Sequence, residues 1–417
     1  MNEKGIIRMK PDKAMETITG QFPKPQMTMS YILLVKLIAA FLAVPFFLFG
    51  ACSPSGANLT NDKNEKNEAE EAAADKETAG APEMQTETAE TKKGSYLIMS
   101  SVYSDISQIC EQSSLDQWET ARASVTGWKH HIHRVDHPQF RIDDETFAKI
   151  IKIMKDSDIK FLVESKSTYS GSDVINAGKY DAERDIGFLQ RVYDYGSEVY
   201  ALEYDGAFFD YTELGLSKEQ ATENLIAYFD AIHEKFPDIK LYFLFNFPNW
   251  GWKGEPAYRT ENGDAMYMGD AYEVYNLVVP AFRAAGIPLA GFVVDNPYEY
   301  AVGREYPPIE NRSGADVRNI DWVGRILELE AMVRSDGMEF IVIFNSQQGG
   351  GEHSGTFARN TVRYIDMYLD RGGRPDGYEL QSWYPNPEQW LPEDDDKTMS
   401  GTVKAAAELL KARGIIE

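Results

Sequence analysis

From Tyr96 onward, short β-rich runs alternate with helix-length amphipathic segments, and this alternation confines the chain to a parallel sheet crossed by helices. The clearest strand candidates are 159–164 (IKFLVE), Val199–Asp205 (VYALEYD), Lys240–Asn246 (KLYFLFN), 290–295 (AGFVVD), 339–345 (EFIVIFN) and 377–383 (GYELQSW). Tyr96–Ser101 (YLIMSS) supplies a first strand, and a second falls somewhere within 124–135. Helical candidates lie between them at 146–155, 218–236, Ala271–Ala285, Trp322–Ser335 and 357–371, with 400–413 closing the chain. Successive strand starts are about 40–50 residues apart, room for a strand, a loop, a helix and a return loop. Eight such units predict an α/β protein with a single (β/α)8 TIM barrel over residues 95–417. An open doubly wound sheet is the alternative, but no Gly-rich phosphate loop follows the first strand. No cofactor is expected.

The N-terminal segment has a different texture. Residues 37–50 (LIAAFLAVPFFLFG) form an apolar run interrupted by Pro45 and preceded by Lys4, Arg8, Lys10, Lys13, Lys24 and Lys36. That suits the apolar region of a secretory signal better than a membrane span, which needs about 20 residues. The run ends in Phe49-Gly50-Ala51-Cys52, which resembles the lipobox of bacterial lipoproteins, with Phe49 where the family usually has Leu. The resemblance implies a signal peptide over residues 1–51 and acylation of Cys52. An uncleaved N-terminal anchor is the alternative. Either way, the bulk of the chain is expected in the cell envelope, tethered and facing away from the cytoplasm.

Residues 52–94 are rich in Glu, Ala, Asn, Lys and Thr and contain no aromatic side chain. They cannot bury enough apolar surface to offset the entropy of ordering, so a flexible acidic linker is expected. The whole chain carries 66 acidic against 42 basic residues, a net charge of −24, which argues against nucleic acid as a partner. Two cysteines give no disulfide scaffold, and with Cys52 lipidated Cys110 is expected to be a buried apolar filler.

In a barrel of this kind the reacting groups sit at the C-terminal strand ends. Alternation puts Val199, Ala201, Glu203 and Asp205 on the inward face of the fourth strand. The fifth ends in Asn246, the sixth in Asp295, the seventh in Asn345, and the eighth presents Glu379, Gln381 and Trp383. Carboxylates and amides grip hydroxyl groups, and Trp and Tyr faces stack on sugar rings. Polar strand ends also arise as ordinary turn formers and helix caps, but five strands ending this way point to carbohydrate. Trp118, Trp128, Trp250, Trp252, Trp383, Tyr384 and Trp390 are candidate sugar platforms, whereas Trp322, inside a helix, reads as core.

Glycoside cleavage needs two carboxyl groups astride the bond, and the inward candidates are Asp205, Asp295, Glu203 and Glu379. The fourth-strand LEYDG and sixth-strand VVDNP are similar to the corresponding strands of α-galactosidase-type barrel glycoside hydrolases. That resemblance implies Asp205 as nucleophile and Asp295 as acid/base, with Glu203 where the family has Lys and Gly206 where it has Cys. It covers a handful of residues on two strands. Crowding of Asp205 by Glu203 would raise the pKa of one of them, an alternative source of the acid.

Four of the six histidines fall within 130–137, and His131 with His133 could form an H-x-H metal pair. The amidohydrolase pattern also needs histidines after strands five and six, where Asn246 and Asp295 stand, so His131 is assigned to substrate hydrogen bonding, with a surface loop without chemistry as the alternative, and no metal is expected. The acidic run Glu393-Asp394-Asp395-Asp396 reads as solvated loop, with calcium binding left open. The expectation is a surface-anchored glycoside hydrolase acting on an external oligo- or polysaccharide. A neutral or amino-bearing glycan suits the acidic barrel. A non-catalytic glycan-binding barrel and a metal-assisted barrel hydrolase are the alternatives.

Overall fold

The computed structural model describes residues 95–132, 142–257, 268–304 and 317–417. The signal, Cys52, the linker and His133 lie outside the described residues. Eight strands close into a barrel in sequence order: β1 (Tyr96–Ser101), β2 (Gly127–His131), β3 (Lys160–Lys166), β4 (Val199–Asp205), β5 (Lys240–Asn246), β6 (Gly291–Asp295), β7 (Glu339–Phe344) and β8 (Gly377–Ser382). Every neighbouring pair is parallel, and β8 returns to β1 with Tyr96 opposite Gly377. The (β/α)8 expectation holds, and the second strand falls inside the segment assigned to it.

Helices cover the outside because most carry an apolar stripe, and several have a defined start. Ser217 and Gln220 form a reciprocal capping box that opens Lys218–Lys235. Asp143 caps Asp144–Asp156, Asp270 caps Ala271–Ala285 and Thr398 caps Met399–Ala412, each accepting a backbone N–H of the first turn. Trp322 opens Trp322–Ser335 and is buried, as expected. Within the acidic run, Glu393 serves as a helix cap. Its carboxylate accepts from the backbone N–H groups of Thr120 and Ala121 at 3.2 and 2.7 Å, at the start of helix Glu119–Ser124.

Two apolar clusters result. The larger fills the space between strands and helices and includes Cys110, whose thiol burial pushes up to about 12. The smaller fills the barrel interior with Ile98, Leu162, Ala201, Tyr242, Leu244, Val293, Ile341 and Ile343. At the N-terminal end Tyr200 donates to Tyr96 (2.9 Å) and Lys240 pairs with Glu339 (2.6 Å), closing the floor.

One alternation differs from expectation. Phe161 lies opposite Val199 but Leu162 lies opposite Ala201, so Tyr200 is an extra residue in β4. This bulge turns Val199 out to the helix layer and Tyr200 in, while Ala201, Glu203 and Asp205 keep the inward face. The next residue, Gly206, has φ of +60°, a left-handed turn that glycine adopts without strain, and it leads directly into helix Ala207–Glu213.

Candidate active site

The C-terminal strand ends surround a cavity of about 310 Å³. Glu164 of β3, Asp205 of β4, Asn246 of β5, Asp295 of β6 and Gln381 of β8 line it, joined by Trp383 and Tyr384 beyond β8 and by Tyr103, Asn249, Tyr300 and Gln347 from the segments that follow β1, β5, β6 and β7. Of the sequence-derived candidates, the structure therefore brings Asp205, Asp295, Asn246, Gln381, Trp383 and Tyr384 together. Asn345 stands behind Asp295 and donates its side-chain N–H to Asp295 Oδ1 at 2.7 Å.

The two aspartates are both proton-retaining. Burial pushes Asp295 up to about 7; the Asn345 hydrogen bond and Lys129 work against that rise and Glu164 adds to it. Asp205 is raised well above the usual carboxylate range by burial, then by the charges of Glu164, Asp210 and Asp295, with Lys166 opposing. Asp205 is half-buried at the cavity wall, so water there tempers the rise. Asp210, on the helix after Gly206, is itself pushed up by burial to about 6. Two carboxyl groups sharing one cavity, with burial and like charge favouring the protonated form, keep a proton near neutral pH.

Beneath the cavity lies a buried ionic cluster. Lys129 Nζ, from β2, sits 2.7 Å from Glu164, 2.7 Å from Glu203 and 2.5 Å from Glu379, with side-chain exposures of 5% or less. Burial alone would lower the lysine, but the three carboxylates raise it well above its ordinary range, so it is a fixed cation. Burial raises both Glu203 and Glu379, which face each other closely enough to share a hydrogen bond. Both are sealed from solvent and neither lines the cavity, which sets them apart from the candidates Asp205 and Asp295. Strand position explains why. Glu203 stands two residues before Asp205 on β4 and Glu379 two before Gln381 on β8, one layer below the strand ends.

The aromatic assignments divide. Trp128 and Trp250 do not line the cavity. Lys129 and His131 face the barrel interior, so alternation turns Trp128 outward against Phe161, ring centroids 5.3 Å apart. Trp250 packs edge-on against Phe245 in the outer core. Trp118, Trp252 and Trp390 are also core residues. His131 is committed within the ionic cluster, with Nδ1 3.1 Å from Glu164, Nε2 2.8 Å from Ser100, and its ring against Trp383. Among the described residues no group of three or more His, Cys, Asp or Glu side chains is arranged to hold a metal.

Two residues at the centre of the site escape the sequence reading. Glu164 ends the strand candidate 159–164 as Asp205 and Asp295 end theirs, and that similarity is the signal that could have found it, although β3 runs on to Lys166. Lys129 carries none beyond alternation, because a lone lysine between aromatic and histidine residues reads as a strand edge rather than a barrel axis.

No family model matches the sequence, and no curated protein is similar to it. Among solved structures, fungal β-1,4-galactanase aligns at 10% identity and a TM-score of 0.46 over 76% of this chain and 100% of that one. A GH10 endoxylanase from a sugarcane soil metagenome aligns at 9% and 0.43, over 76% and 97%. A GH18 chitinase from Pseudoalteromonas aurantia aligns at 12% and 0.42, over 75% and 98%. Barrels of other chemistry match at the same level. These likenesses concern the barrel architecture alone.

Proposed function

We propose that this protein is a glycoside hydrolase acting on an extracellular oligo- or polysaccharide, with Asp205 and Asp295 as its carboxyl pair. The observation that carries the reading is the placement of these two carboxyl groups, from β4 and β6, on one open cavity, where burial raises both and the charge of Asp295 raises Asp205 further. The electrostatics favour roles opposite to those implied by the resemblance to α-galactosidase-type barrels. On Asp295 the Asn345 hydrogen bond, the largest influence after burial, and Lys129 favour charge against Glu164, whereas on Asp205 Glu164, Asp210 and Asp295 oppose charge against Lys166 alone. Asp205 is then the proton donor to the leaving oxygen, and Asp295 the ionised partner.

Glu164, Asp205 and Asp295 line the cavity, while no Lys or Arg among the described residues does. A neutral or amino-bearing sugar fits this lining; an anionic one is repelled. Trp383 and Tyr384 offer ring faces for stacking. The signal, the lipidated Cys52 and the acidic linker would hold the barrel in the cell envelope, facing outward.

The test begins with a screen of polysaccharides for new reducing ends, followed by Asp205→Asn and Asp295→Asn on the glycan found. With Asp205 as the acid, D205N loses about 10²–10⁴-fold on the glycan but recovers on an aryl glycoside whose leaving group needs no proton. D295N fails on both. Full activity of both variants would end the assignment.

A further inference from the structure

We propose that Glu164 is a positioning residue for the reaction at Asp205 and Asp295, with Lys129 as its fixed counter-ion. The proposal rests on the glycosidase reading of the cavity and adds to it a residue that neither the carboxyl pair nor the resemblance assigns.

Glu164 is where the buried cluster and the cavity meet. It belongs to the Lys129 cluster and also lines the cavity. In register it stands between His131 of β2 and Glu203 of β4. Oε2 takes Lys129 Nζ at 2.7 Å and Gln381 Nε2 at 3.2 Å, and Oε1 takes His131 Nδ1 at 3.1 Å. His131 Nε2 meets Ser100 Oγ at 2.8 Å. One carboxylate thus ties β1, β2, β3 and β8 together at the cavity wall.

Two consequences follow for the cavity. The first is orientation. With its Nε2 directed to Glu164, Gln381 keeps a buried carbonyl oxygen with no donor, at a residue that lines the cavity. That oxygen is an acceptor awaiting a sugar hydroxyl or ammonium. The second is charge. Burial alone would raise Glu164, but the charges and hydrogen bonds of His131 and Lys129 hold it below the usual carboxylate range. Its permanent negative charge opposes ionisation of both Asp205 and Asp295.

The other charged and titratable groups around it are Lys129 and His131 on β2, Glu203 and Asp205 on β4, Asp295 on β6 and Glu379 on β8. Lys166 and Asp210 act on Asp205 with opposite signs. Glu203 and Glu379 do not line the cavity and are engaged with Lys129. Glu164 is therefore the anion of the cluster that shares the cavity wall with the reacting pair.

The experiment follows the carboxylic-acid C=O band of the full-length protein by infrared difference spectroscopy across pH, with D205N and D295N assigning the band. No substrate is needed. Replacing the anion by an amide in Glu164→Gln should lower the protonation midpoint of the pair by about one pH unit, and the alkaline limb of kcat/KM should fall with it. Lys129→Gln, which removes the counter-ion, should move the midpoint upward. Glu164→Asp keeps the charge, so its midpoint stays near that of the wild type, while KM rises as Gln381 loses its bond to Glu164 and keeps only the His131 contact. A lower melting temperature with an unchanged midpoint in Glu164→Gln would make the residue merely structural and overturn the proposal. So would shifts of the same sign in Glu164→Gln and Lys129→Gln. Failure of the wild type to cleave any glycan would instead remove the glycosidase reading, leaving the infrared midpoint to decide the role of Glu164.

Discussion

Lys129 Nζ lies 2.7 Å from Glu203 Oε2, and both side chains are completely shielded from solvent. An ion pair so placed is sustained by its partner, because breaking a buried pair leaves an uncompensated charge that costs about 3–5 kcal/mol. Lys129→Met should therefore lower unfolding free energy by that amount at neutral pH. The deficit should shrink as pH falls, because Glu164, Glu203 and Glu379 can discharge by taking up protons once the ammonium is gone. Denaturant unfolding at about pH 7 and about pH 5 checks this. An equal deficit at both would contradict the cluster as described.

Asp295 gives the folded state a pH dependence of defined sign. Its folded-state pKa of about 7 lies above the value of about 3.9 expected in the unfolded chain. Between those values the folded protein holds the proton and the unfolded chain does not, so stability falls as pH rises through the window and levels off above it. At 1.36 kcal/mol per unit, the fall from about pH 5 to about pH 8 is about 2–3 kcal/mol from this group. Asp295→Asn keeps an acceptor for Asn345 but cannot ionise. Its stability curve should be flatter than that of the wild type by about this amount, and parallel curves in chemical denaturation would refute the shift.

The barrel was legible because most strands are short apolar runs and most helices carry an apolar stripe; β2, which reads GWKHH, is the exception among the strands. Helix Ala177–Asp194 was harder to read, since its buried face includes Gly178, Asp181 and Asp185 rather than a row of large apolar groups. At the site, period-two alternation correctly joined Asp205, Asp295, Asn246 and Gln381. It could not show depth: Glu203 and Glu379 face inward as expected yet sit a layer too low. Nor could it supply the partner that makes them tolerable, because Lys129 comes from a strand far away in sequence. The Tyr200 bulge and the outward turn of Trp128 depend on register between strands, which composition along one strand does not encode.

Cys52 carries a separate expectation from its lipobox-like surroundings, Phe49-Gly50-Ala51-Cys52. In a bacterial host supplied with labelled fatty acid, the full-length chain should take up label and sediment with membranes. Cys52→Ser should lose the label, with the basic and apolar residues ahead of it left to act only as an uncleaved anchor. Equal labelling of both chains would rule out lipidation at this cysteine.

Two tryptophans separate substrate binding from folding. Trp383 lines the cavity with its ring near His131, centroids 4.5 Å apart, whereas Trp250 is 1% exposed in the outer core against Phe245. Trp383→Ala removes a ring face from the cavity, so it should raise KM for the glycan by about 3–10-fold, the equivalent of a stacking contact worth about 0.5–1.5 kcal/mol. Its melting temperature should change little. Trp250→Ala leaves a large cavity among packed rings and should cost about 3–5 kcal/mol of stability, while the fraction that remains folded keeps its KM. Steady-state kinetics and thermal melts on the two variants give the comparison. A KM change in Trp250→Ala matching that of Trp383→Ala would mean that the ring behind β5 reaches substrate after all.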